Sequence, residues 1–87
     1  MKIEIIEHAK IRMAEREASE IEVRETVKDG ITIKAKKGRK AKEKLFDYGK
    51  SWQGKNYPYK KVKAVYVEEG SVLVVITVYV YYGIWEE

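Results

Sequence analysis

The hydrophobic period of this chain changes once, at Gly30, and that single change sets its architecture. Before Gly30 apolar residues recur every three to four positions; after it they recur every second position. Ile6, Ala9 and Met13 fall on one helical face, which predicts a first helix over Glu7 to Arg16. Ser19 followed by Glu22 forms a capping-box pattern, and Val23 and Val27 supply the buried stripe of a second helix. Gly30 stands where a left-handed C-terminal residue is wanted, and only Glu17 and Ala18 separate the two helices.

Downstream, Ile31, Ile33 and Ala35 alternate with Thr32, Lys34 and Lys36 as in a half-buried strand that runs into a basic, glycine-bearing turn. Lys42 to Tyr48 reads as a second strand, Tyr59 to Glu68 as a third, and Val72 to Tyr82 as a fourth after a turn at Glu69-Gly70-Ser71. The stretch from Gly49 to Pro58, with two glycines, an Asn and the only Pro, is expected to be a loop. In the fourth strand Val72, Val74, Ile76, Val78 and Val80 form the expected core face, while Thr77, Tyr79 and Tyr81 turn the opposite face polar and aromatic. The expectation is an α+β fold in a single domain, residues 1–87, with two N-terminal helices packed on a four-stranded antiparallel β-meander.

A chain of 87 residues has room for one modest core. The absence of cysteine removes disulfides, thiolate nucleophiles and zinc-cysteine sites, and one histidine leaves any metal site to be built from carboxylates; no metal and no cofactor are expected. Met1 to Glu7 is acidic and too short of apolar residues for a signal peptide, and 37% of the chain is charged, so the expected setting is cytoplasmic with no membrane. The Lys/Glu-heavy surface with one Gln and one Asn resembles a thermophile composition.

Charge is distributed unevenly. Residues 28–63 carry thirteen basic and three acidic side chains, whereas residues 64–87 carry four acids and no base. A cationic field of that kind suits a phosphate backbone, since neutralising phosphates releases condensed counterions. The expected nucleic-acid-binding residues are Lys36, Lys37, Arg39, Lys40, Lys42, Lys60, Lys61 and Lys63, with Trp52 and Tyr57 as stacking platforms.

Two blocks carry a family resemblance. The first is Glu7-His8-Ala9-Lys10-Ile11-Arg12-Met13-Ala14-Glu15-Arg16 with Ser19-Glu20-Ile21-Glu22-Val23; the second is Lys63 to Gly70 with Val75-Ile76-Thr77-Val78-Tyr79. Together they resemble small bacterial and archaeal domains of unknown function with a His-Ala-x-x-Arg-Met-x-x-Arg helix, which look like part of the barnase, EndoU, colicin and RelE group of metal-independent ribonuclease toxins. The resemblance implies a RelE-like fold, RNA as substrate and a neutralising antitoxin as partner. That family usually has Gly-Ile before the Ser that caps the second helix; Glu17-Ala18 here implies a different helix-helix connection.

His8, Arg12 and Arg16 lie at i, i+4 and i+8, one polar stripe on the first helix. Metal-free RNA cleavage needs a base for the 2′-hydroxyl proton, cations for the phosphorane and an acid for the leaving 5′-oxygen. His8 is the candidate base or acid, Arg12 and Arg16 the phosphate clamp, and Thr77 and Tyr79 the hydrogen-bonding or stacking partners that the resemblance nominates. The same stripe with Glu7 and Glu15 also reads as a surface ion-pair ladder. Two rivals to an endoribonuclease therefore stand: a non-catalytic basic nucleic-acid-binding module, and a homodimer pairing exposed strand edges through the fourth strand.

Overall fold

The computed structural model describes residues 2–85. In chain order these form β1 (Lys2–Ile5), α1 (Glu7–Arg16), α2 (Glu20–Asp29), β2 (Ile31–Ile33), β3 (Lys40–Trp52), β4 (Lys55–Glu69) and β5 (Val72–Gly83). The strands make one five-stranded sheet in the order β1-β5-β4-β3-β2. All neighbours are antiparallel except β1, which runs parallel to β5 with Lys2 opposite Val72 and Ile5 opposite Val75. The fold is thus α+β, but the expected four-stranded antiparallel meander is corrected to a five-stranded mixed sheet with a strand ahead of the helices. Lys2-Ile3-Glu4-Ile5 alternates as a strand should, yet its pairing partner lies seventy residues away, so no local turn announces it. No helix among the described residues is long and apolar enough to cross a membrane.

Both helices cover one face of the sheet, α1 against β5 and α2 against β3 and β4. Ala9 and Met13 of α1 and Val23 and Val27 of α2 pack on Val62, Ala64 and Tyr66 of β4 and on Val75 and Val78 of β5. Ser19 accepts from the Glu22 amide at 3.1 Å while the Glu22 carboxylate accepts from the Ser19 amide at 3.0 Å, so the capping box closes in both directions. The helix-helix turn is made by Glu17, whose φ of 56° places a non-glycine residue in the left-handed region. Gly30, expected to be left-handed, is extended instead. Its lack of a side chain serves close approach, because a Cβ there would collide with the Thr26 carbonyl and lie 2.7 Å from the Glu43 carbonyl oxygen.

Two bulges reshape the strands. On β3, Tyr48 and Gly49 oppose the single residue Pro58 of β4, between the pairs Asp47 with Tyr59 and Lys50 with Tyr57. A proline can sit there because the ladder is already interrupted. Beyond it the strands continue to a two-residue hairpin at Gln53-Gly54, both with positive φ. The stretch expected to be a loop is therefore a twisted β-ribbon, its Gly, Asn and Pro marking a bulge and a tight turn.

On β5 the register shifts at Ile76, since Tyr66 faces Val75 while Val65 faces Thr77. The shift exchanges the faces of the strand. Before it Leu73 and Val75 point at the helices; after it Val78 and Val80 do. The expected unbroken core face from Val72 to Val80 is corrected accordingly: only its C-terminal half faces the helices.

Candidate nucleic-acid interface

The face of the sheet opposite the helices is where the aromatic and basic residues gather. Directly opposed residues share a face, so the pairs Lys61 with Tyr81, Lys63 with Tyr79 and Val65 with Thr77 lie together there. The segment between β2 and β3 folds back on itself, the Arg39 amide donating to the Lys36 carbonyl at 3.0 Å. With the sheet it encloses a concavity of about 130 Å³ lined by Ala35, Lys36, Arg39, Lys63, Val65, Thr77 and Tyr79.

Arg16 reaches this face from the other side of the sheet. β1 covers the edge of β5 only as far as Val75, and past that point the edge is open. Arg16 fills the opening: Nη1 donates to the Val78 carbonyl at 2.7 Å and the guanidinium stands 5.2 Å from the Tyr79 ring centroid. Lys63 Nζ is 5.4 Å from the same centroid, so two cations are held by one aromatic ring.

The rest of the helical stripe does not follow. At about 100° per residue, positions 12 and 8 rotate progressively away from the buried direction set by Ala9 and Met13. Arg12 pairs with Glu15 at 2.7 Å along the helix surface. His8 is exposed, and its ring makes no hydrogen bond or ion pair with a described residue. Arg16, Thr77 and Tyr79 are thus brought together with Lys36, Arg39 and Lys63, whereas His8 and Arg12 lie on the solvent side of α1.

The basic segment separates into engaged and free cations. Lys40 pairs with Glu68, Lys60 with Glu22 and Lys61 with Glu43, and Lys42 donates to the Val27 carbonyl at 3.0 Å at the end of α2. The Glu68 carboxylate, by hydrogen bond and charge, raises the Lys40 pKa. Lys36, Lys37, Arg39 and Lys63 have no carboxylate partner among the described residues, and all but Lys37 line the concavity. An unneutralised cationic cluster of this kind attracts anions far more than paired lysines do.

Trp52 and Tyr57 have an internal role. Trp52 stacks on Tyr82 with centroids 4.6 Å apart and Tyr57 packs on the same ring at 5.9 Å, which ties the β3-β4 ribbon to the body of the domain. Tyr82 donates to the Arg16 carbonyl at 2.6 Å, and burial pushes its phenol well above the ordinary pKa, with the Tyr48, Glu17 and Glu22 charges acting the same way. Lys60, 6% exposed, is held by the Glu17 carbonyl at 2.7 Å and the Glu22 carboxylate at 2.8 Å, and beside them opens the larger cavity of about 550 Å³ under the helix-helix turn. These groups have their hydrogen-bonding needs met within the fold. Among the described residues no three of His, Asp and Glu converge on a point that could hold a metal ion.

Every polar residue lining the concavity is legible in the sequence, though as members of two separate groups, a basic run and an aromatic strand. Ala35 and Val65, which form its apolar walls, carry no signal beyond strand alternation.

No curated protein matches the chain, and no solved structure matches it. The comparisons carry no link to ribonuclease toxins or to the His-to-Arg helix pattern. The model of the domain of unknown function DUF4258 matches residues 5–80, which takes in both helices, β2, β3, β4 and most of β5 but only the last residue of β1. The chain therefore belongs to the DUF4258 family of domains of unknown function.

Proposed function

We propose that this domain binds RNA on the helix-free face of its sheet. The observation that carries the reading is the convergence of Arg16, Lys36, Arg39 and Lys63 around one aromatic residue, Tyr79, beside a concavity that no carboxylate of a described residue lines. Arg and Lys neutralise backbone phosphates, the Thr77 hydroxyl is positioned as a donor, and the half-exposed Tyr79 ring offers an edge or face to a base. Side chains of this kind on an open sheet favour single strands, whose bases are free to stack.

The test is a titration of a fluorescein-labelled single-stranded RNA by anisotropy, with the variants Arg39→Gln and Lys63→Gln. Loss of about tenfold in affinity per variant is expected, at about 1–1.5 kcal/mol for each lost charged contact. RNA affinity unchanged in both variants overturns the reading.

Strand cleavage is the second reading, favoured by Thr77 and Tyr79 lying among three cations. In that reaction a base removes the 2′-hydroxyl proton, the 2′-oxygen attacks phosphorus, and the 5′-oxygen leaves with a proton from an acid. Arg16 and Lys63 supply charge for the phosphorane, the Tyr79 phenol gives its proton to the leaving 5′-oxygen, and the 2′-hydroxyl proton passes to solvent water, which acts as the base. His8, set apart on the solvent side of α1, has no part in that arrangement. Incubating end-labelled RNA with the domain and with Tyr79→Phe separates the readings: fragments from the first and none from the second support cleavage, and intact RNA in both leaves binding alone.

A further inference from the structure

The concavity between the 34–39 segment and the sheet is too small and too highly charged to be only one stop along a nucleic-acid backbone. We infer that it receives a terminal phosphomonoester, the phosphorylated end of an RNA strand or of a nucleotide, with Tyr79 placed against the adjoining base. This inference rests on the same face as the proposed RNA binding and specifies which part of the ligand the pocket takes.

Size is the first argument. A cavity of about 130 Å³ is well below the roughly 300–1,000 Å³ of pockets that enclose whole small molecules, which suits a compact end group rather than an entire nucleotide. Shape is the second. One wall is the sheet itself, at Val65 and Thr77, and the facing wall is the folded segment at Ala35, Lys36 and Arg39. An internal phosphodiester must let the chain in and out on both sides of phosphorus, whereas an end group needs a single entrance.

Charge is the third. Lys36, Arg39 and Lys63 face the same small space with no carboxylate partner among the described residues, and Arg16 stands beyond Tyr79. Three cations around one site overmatch the single charge of a diester and suit the charge of about −1.5 to −2 that a phosphomonoester carries near neutral pH. The Thr77 hydroxyl adds a neutral donor, and the planar fork of Arg39 is suited to bind two phosphate oxygens at once. The apolar walls Ala35 and Val65 limit water around these contacts, which strengthens them.

The experiment uses ¹⁵N-labelled full-length domain titrated with adenosine, 5′-AMP, 3′-AMP and the dinucleoside ApA, followed by amide shifts of Lys36, Arg39, Thr77 and Tyr79. Saturable shifts with one or both monophosphates, at least tenfold tighter than with ApA or adenosine and lost in Arg39→Gln, are expected; the two monophosphates decide between 5′ and 3′ ends. Equal affinity for ApA and the monophosphates overturns the inference while leaving RNA binding intact. Tight monophosphate binding with no affinity for RNA oligomers does the reverse, sustaining the pocket and sinking the strand-binding reading. The Arg39→Gln protein is checked for folding by its undisturbed amide spectrum, and Lys63→Gln serves as the second variant should Arg39→Gln fail that check.

Discussion

The Arg16 side chain crosses the sheet edge to place its guanidinium 5.2 Å from the centre of the Tyr79 ring, joining a helix on one face to an aromatic residue on the other. The crossing exists because β1 ends at Ile5 and leaves the Val78 carbonyl of β5 free to accept from Arg16. Arg16→Gln is expected to lower RNA affinity several-fold and to cost about 1 kcal/mol of stability through the lost hydrogen bond. Tyr79→Phe keeps the ring that holds both cations and is expected to leave stability unchanged. Parallel anisotropy and urea-unfolding measurements check both; equal RNA affinity in Arg16→Gln and wild type would detach the helix from the interface.

Lys60 and Glu22 form the most buried ion pair in the described structure, the two side chains being 7% and 21% exposed. Removing one member leaves the other charged and poorly solvated, so Lys60→Met alone is expected to destabilise by about 3–5 kcal/mol. The double variant Lys60→Met with Glu22→Gln should recover much of that loss, since no uncompensated charge remains. Urea denaturation of wild type, Lys60→Met, Glu22→Gln and the double variant gives the coupling energy directly; additive losses would show that the pair acts as two independent contacts.

Tyr82 ties stability to alkaline pH. Its folded pKa is raised above the unfolded value of about 10, so the folded state keeps the phenolic proton when the unfolded chain has begun to lose it. The stabilisation is complete below pH ~10 and declines as pH rises above it, because the unfolded state then binds fewer protons than the folded one. Tyr82→Phe should be less stable at neutral pH, having lost the bond to the Arg16 carbonyl, yet show a flatter decline above pH ~10. Thermal melts across pH 8 to 11 test this; parallel curves for the two proteins would place the alkaline transition elsewhere.

Much of this fold is written in local patterns, and what escapes them has definite physical causes. The period of Ile6, Ala9 and Met13 and the Ser19-Glu22 box specify both helices because their partners are three or four residues away. The parallel pairing of β1 with β5 has no such neighbour. The register shift at Ile76 is equally silent: Val74, Val75, Ile76 and Val78 suit either face of a strand, and which of them faces the helices is decided by β4. In the site, charge density pointed to residues 28–63, but which lysines are neutralised depends on Glu22, Glu43 and Glu68 being folded against them. Composition holds no record of those pairings.

Glu17 stands in the left-handed region at φ 56° between the helices, a conformation that costs a side-chain-bearing residue about 1 kcal/mol or more. Its side-chain contact, a 3.3 Å hydrogen bond from the Tyr48 hydroxyl, is exposed and contributes little. Its carbonyl, which accepts from Lys60, belongs to the backbone and survives substitution. Glu17→Gly is therefore expected to stabilise the domain by about 0.5–1 kcal/mol. A lower urea midpoint for the variant would mean that the carboxylate matters more than the backbone strain.

Salt dependence gives the most direct reading of how the basic segment is used. If every lysine and arginine of residues 28–63 met a phosphate, the affinity would fall very steeply with salt. The structure instead leaves Lys36, Arg39 and Lys63, with Arg16 from α1, as the cations around Tyr79, while Lys40, Lys60 and Lys61 are held by carboxylates and Lys42 caps a helix. For a single strand each neutralised phosphate contributes about 0.7 to the slope of log affinity against log salt, so four cations predict a slope near −3. Lys63→Gln should make it shallower by about 0.7, and Lys40→Gln should leave it unchanged. An anisotropy titration from 50 to 300 mM salt measures all three. A wild-type slope steeper than about −6 would require many more cations than those around Tyr79 to meet phosphates, and the helix-free face would then be only part of the interface.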